Sequence, residues 1–229
     1  MNLLLLALAP ALIIMVYIYA KDKYEREPIK LLLINFGLGA SASIVLTFIL
    51  STVGKLFFSV TDPLSVVQQF IKAFVIVALV EELSKYLIVR YVAQRNPEFN
   101  EPFDGIVYAV MVSMGFAALE NILYVFQFGF GNGLLRAFTA VPAHATFGIL
   151  MGYFMGLAKF SNKKAQLNLT GLLMAVLFHG AYDFFLFVNF IPGLSFGAFA
   201  SLVIAIILSR KAIKKHQDQS HFKHKGFYK

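Results

Sequence analysis

Seven apolar runs divide this 229-residue chain, most of them close to the length that crosses the hydrocarbon core of a bilayer. They cover roughly Asn2–Ala20, Ile29–Val53, Val66–Val92, Phe103–Phe128, Leu134–Ala158, Leu167–Val188 and Leu194–Leu208. A spanning helix takes about 17–25 such residues, because backbone amides find no water inside lipid and must pair within their own segment. With 59% hydrophobic and only 14% charged residues, the composition fits a polytopic membrane protein and not a soluble domain. The expected fold is all-α, with about seven transmembrane helices in a single domain over residues 1–229. No internal repeat or low-complexity linker interrupts it.

The basic residues orient the chain. The first run has no basic residues before it and is followed by Lys21, Lys23 and Arg26, as in a retained span whose N-terminus lies outside. Lys30 also belongs to that first loop, Arg90 and Arg95 to the third, and Lys159, Lys163 and Lys164 to the fifth. The basic tail, about 210–229, holds seven more, whereas the opposite side has only Lys55 and Arg136. Loops one, three and five and the C-terminus are therefore expected in the cytoplasm. This distribution accounts for the net charge of +8 without a nucleic-acid partner. The absence of cysteine excludes disulfides, thiol nucleophiles and thiolate metal sites.

Against this background the third run carries Val80-Glu81-Glu82-Leu83-Ser84-Lys85, three charges with no loop signal on either side. A carboxylate near the bilayer centre costs on the order of 3 kcal/mol. Pairing with Lys85, at i+3 and i+4, explains one glutamate and leaves the other as a functional candidate. Glu120 and Asn121 lie in the fourth run, His144 in the fifth, and His179 and Asp183 in the sixth. Counted from each outer end at about 1.5 Å per residue, Glu81, Glu120, His144 and His179 all fall in one central slab. Groups at one depth on several helices point to a wet cavity. Within it a buried glutamate can act as a general base on water, and histidines can donate to an oxyanion or hold a metal. Asp183, four residues after His179, can accept from its ring and fix the tautomer.

Other signatures carry less. No His-Glu-x-x-His is present. Gly193-Leu194-Ser195-Phe196-Gly197 matches the nucleophile-elbow pattern, but it follows Pro192 at a span end and not a strand. Asp104 sits at a helix start, where it reads as a cap. Gly148, Gly152 and Gly156 form a four-residue small stripe for close helix packing.

Taken together, the motifs resemble the PrsW family of bacterial intramembrane proteases, relatives of the prenyl-protein-protease and bacteriocin-processing group. The matching pieces are Lys21-Asp22-x-Tyr24-x-x-Glu27-Pro28, Glu81-Glu82-x-x-Lys85 and Phe103-Asp104-Gly105-Ile106-Val107-Tyr108. Gly115-Phe116-Ala117-x-x-Glu120-Asn121-Ile122-x-Tyr124, His144-x-x-x-Gly148-x-x-x-Gly152 and His179-Gly180-x-Tyr182-Asp183 follow in order. The resemblance implies a multi-pass protease of the bacterial cell membrane. Its substrate would be a single-span membrane protein, an anti-sigma factor cut first on its extracytoplasmic side in envelope-stress signalling. It also implies essential roles for Glu81, Glu82 and His179, and matches Glu120 and His144 to the second and third motifs. The wider group often has Phe-x-x-x-His where this chain has Phe116-x-x-x-Glu120, so a histidine role does not transfer to Glu120.

The expected catalytic set is thus Glu81, Glu82, His179, Glu120 and His144, supported by Asp183, Lys85 and Asn121. A metal-free, glutamate-type mechanism is favoured, because no compact metal-binding spacing is present. If zinc is used, His144, His179 and a glutamate would hold it. Two rivals use the same groups differently: an ion- or proton-coupled transporter with a buried relay, and a haem protein with His144 and His179 as axial ligands.

Overall fold

The computed structural model describes residues 3–223, and among these no β-strand occurs. The helices are α1 (Leu3–Lys21), α2 (Ile29–Phe57), α3 (66–91), α4 (Pro102–Phe138), α5 (Ala140–Lys159), α6 (Lys164–Phe187) and α7 (Phe196–Gln219). Five helical stretches are long and apolar enough to cross a membrane: α1, α2, Pro102–Lys159 (which spans both α4 and α5), α6 and α7. α3 is helical throughout but carries the internal charges.

Local chemistry explains the boundaries. α1 ends where the mixed-charge loop 22–28 begins, and Pro28 precedes the first turn of α2. Ser65 caps α3, accepting from the Gln68 amide. At the start of α4 the side chains of Glu101 and Asp104 form a reciprocal capping box. Asp104 Oδ2 takes the amides of Asn100 and Glu101 at 2.6 and 2.8 Å, the structural role expected of it.

α4 and α5 form the buried centre, and the other helices wrap around them. They can approach closely because of glycine. A Cβ on Gly152 would lie 2.3 Å from the Gly105 carbonyl oxygen, and one on Gly156 would lie 2.0 Å from that of Pro102. The small stripe therefore packs backbone on backbone, as expected. Around this pair the outward faces are apolar: Ile13, Phe48, Leu56, Phe138 and Phe196 are all more than two-thirds exposed. An apolar belt of this extent fits a lipid surround.

Three expectations need correction. First, the fifth apolar run does not begin a membrane helix at Leu134. α4 breaks at Gly129 (φ 79°, ψ −170°), a conformation open only to glycine, and residues 130–138 turn back along α4. Arg136 consequently touches Glu120 at 2.6 Å. Sixteen residues of straight helix would separate them by about 24 Å. Second, α3 is not uniform, since Lys72–Leu79 is a π-helical stretch leading directly into Val80–Tyr91. Third, the last helix does not stop near Leu208 but continues to Gln219, so much of the basic tail is helical. Ser220 donates to the Glu101 carboxylate, tying this end to the start of α4. The remainder of the expected tail, residues 224–229, lies outside the described residues.

Candidate active site

Four helices bring the ionisable residues together around a cavity of about 520 Å³. α3 supplies Glu81 to its wall with Glu82 buried behind it, α4 supplies Glu120, α5 supplies His144, and α6 supplies His179 and Asp183. The π-helical stretch before Val80 replaces i→i+4 bonding with wider turns, a feature frequent at functional sites. α6 can press against it because residue 180 is glycine: a Cβ there would lie 2.4 Å from the Phe74 ring.

The two adjacent glutamates have different surroundings. Glu82 is fully buried, and its Oε1 accepts from Lys85 Nζ at 2.7 Å and lies 2.8 Å from His179 Nδ1. Glu81 lines the cavity, with Oε2 3.8 Å from Lys85 Nζ and 4.0 Å from His179 Nε2. Its Oε2 has no hydrogen-bond partner among the described residues. Lys85 is buried too, and its ammonium lies 4.1 Å from the centre of the Phe116 ring. Its ion pair with Glu82 satisfies the charge that the sequence reading assigned to one glutamate. Glu81 is the one left facing the cavity.

The histidines are held from both sides. His144 Nδ1 is 3.2 Å from the Lys85 ammonium, which can only donate. Nδ1 is therefore the acceptor, and Nε2 carries the proton toward Glu120 Oε2 at 3.1 Å. Phe147 stacks on His179 with centroids 4.9 Å apart. The expected His179–Asp183 contact is present but long, at 3.5 Å. The closer orienting partner is Glu82, on a different helix, which intrahelical spacing does not reveal. The imidazole centroids are 5.2 Å apart, too close to admit a porphyrin between them.

The remaining candidates are more peripheral. Glu120 does not stand free but is clamped by Arg136 and His144. Asn121 faces away from the cavity: its amide nitrogen donates to the Ala7 carbonyl and its oxygen accepts from Arg136 Nε. It anchors the returning arm and α1. Sequence reasoning missed Arg136, which it treated as a loop charge. The signal available was Gly129-Phe130-Gly131-Asn132-Gly133, a glycine-rich stretch able to reverse the chain. The serine of the elbow-like pattern stands in a turn before α7, with no strand before it.

The donor set also fits a metal ion. Glu81, Glu82, His144 and His179 each bring one ligand atom to within 4.8 Å of the others. Glu81 Oε2 and Glu82 Oε2 are buried without hydrogen-bond partners, as carboxylate oxygens awaiting a cation would be. In this arrangement the cation among them is the Lys85 ammonium.

Comparisons with known proteins identify the family. Residues 27–210 match the family described as PrsW family intramembrane metalloprotease. The Protease PrsW of Oceanobacillus iheyensis is 40% identical over 81% of this chain and 83% of its own length. That of Geobacillus kaustophilus is 36% identical over 81% and 80%, and that of Bacillus subtilis 34% identical over 78% and 80%. No solved structure matches. The match spans every helix that builds the cavity, and the protein is a multi-pass membrane protein belonging to the PrsW family of intramembrane proteases.

Proposed function

We propose that this protease cuts a peptide bond of a single-span membrane protein with water activated by Glu81, and that its substrate is a membrane-anchored anti-sigma factor receiving its first cut. The observation that carries the mechanism is the unpartnered Glu81 Oε2, which lines the cavity beside both histidines. Glu81 takes the proton of the attacking water and returns it to the leaving amine. Glu82 is the positioning carboxylate, holding Lys85 and the His179 ring. His179 and Arg136 at the cavity wall are the donors available to the developing oxyanion, while His144, its N–H directed to Glu120 and its Nδ1 to Lys85, holds that ammonium beside the glutamates. Glu120 fixes His144 and Arg136 in place.

His144, His179 and Glu82 would hold a zinc ion, leaving Glu81 as base. Such an ion supplies Lewis acidity and a lowered pKa for bound water. The roles of Glu81, Glu120 and Arg136 stand in either case.

Seven crossings with the N-terminus outside and the C-terminus in the cytoplasm are supported by the Lys and Arg distribution and by α3 lying among the spanning helices. A cytoplasmic reading from a reporter at the C-terminus is the corresponding check. The catalytic reading is tested by purified protein in liposomes offered candidate single-span anti-sigma factors. A defined cut that Glu81→Gln abolishes supports it, and equal cutting by that variant opposes it.

A further inference from the structure

A second cavity of about 490 Å³ adjoins the first. It lies between the end of α2, the loop after it, and the π-helical stretch of α3. Lys55, Phe58, Thr61, Lys72, Val77 and Glu81 are among its lining residues. Lys72, Val77 and Glu81 line both cavities, so one cleft passes the Glu81 carboxylate from two sides. Its outer wall is firm, since the Thr61 and Asp62 amides both donate to Gln68 Oε1 at 2.8 and 2.9 Å.

The charge of this second cavity is one-sided. Lys55 and Lys72 line it, and Glu81 is its single acid. Lys72 is half-buried and has no ion-pair or hydrogen-bond partner among the described residues; its ammonium rests 4.2 Å from the Phe187 ring centre. Of the other cations, Lys85 is answered by Glu82 and Arg136 by Glu120, and Lys55 is exposed. A partly desolvated ammonium facing a cleft favours an anion there.

Spacing then sets where the anion sits. Lys72 precedes Glu81 by nine residues, at most about 13.5 Å along the helix. An extended peptide advances about 3.3 Å per residue, so that distance corresponds to about four substrate residues. We infer that Lys72 is a specificity-determining residue that selects substrates with an aspartate or glutamate about four residues from the bond that is cut. This rests on the reading of Glu81 as the catalytic carboxylate.

The test uses the full-length protein in phosphatidylcholine liposomes with a mixed library of single-span peptides. Their juxtamembrane positions carry Asp, Asn or Lys, and cut sites are read by mass spectrometry. Wild-type protein is expected to cut Asp peptides at least tenfold more efficiently than Asn peptides at one position three to five residues from the bond. Lys72→Gln brings that ratio to about one, and Lys72→Glu inverts the preference toward Lys. Equal ratios in all three proteins overturn the proposal. Cutting that persists in Glu81→Gln overturns the catalytic reading instead, and an uncut library with wild-type protein overturns both.

Discussion

Glu82→Gln separates a positioning carboxylate from a reacting one. Glu82 is fully buried and forms the shorter of the two ion pairs that Lys85 makes among the described residues, at 2.7 Å, while also holding His179 Nδ1. Removing one member of a buried pair leaves an uncompensated charge and costs about 3–5 kcal/mol. Here Glu81 remains 3.8 Å from the ammonium, so the lower end, about 3 kcal/mol, applies. For a chain of this size each kcal/mol moves Tm by roughly 2–4 °C, giving a fall of about 6–12 °C. Glu81→Gln, which faces the cavity and forms only the longer contact, should shift Tm by a small fraction of that while still abolishing hydrolysis. The chain has neither cysteine nor tryptophan, so melting is best followed by far-UV circular dichroism in detergent micelles. Equal Tm shifts for the two variants, or a larger one for Glu81→Gln, would refute the assignment of Glu82 as anchor.

Three further outcomes are expected. Arg136→Gln frees Glu120 and the returning arm, so cleavage should fall by at least about tenfold with little change in helical content; unchanged cleavage would count against Arg136 at the site. Outside the spans, burial followed by the neighbouring Asp104 charge pushes the Glu27 carboxyl up to about 9, and burial likewise lifts Asp22 to about 7. The folded state then holds protons that the unfolded chain has released, so stability should decline as pH rises from about 5 to 9. Glu27→Gln should flatten that slope in pH-dependent melting, and an identical slope would contradict it. For the metal, full activity after exhaustive chelation supports direct activation by Glu81, whereas loss of activity restored by zinc, with one ion per chain that is lost in His144→Ala and His179→Ala, supports zinc at His144, His179 and Glu82.

How much of this was legible in the sequence depended on the range of the interaction. Helix periods and span lengths are local, and so were the α-class and most helix positions. The glycine stripe announced close packing of α5, because small residues at spacing four let backbones approach, but not that its partner is α4. Depth counting grouped Glu81, Glu120, His144 and His179 correctly, and their atoms meet within a few ångströms. The pairing inside the group was not legible. Glu82 rather than Asp183 makes the short contact to His179, because helix rotation, set partly by the π-helical stretch, decides which carboxylate faces the ring. Arg136 escaped for a similar reason. A positive φ at Gly129 folds its segment back, and the apolar pattern of residues 130–138 reads the same whether it continues a span or reverses.

The most direct test of the central claim is cleavage of a reconstituted single-span anti-sigma factor by wild-type protein and Glu81→Gln, compared at equal folded concentration. The account predicts a defined extracytoplasmic-side product from the wild type and a rate lower by at least about three orders of magnitude, more than 4 kcal/mol in the barrier, for the variant. Turnover by Glu81→Gln within a few-fold of wild type would contradict it.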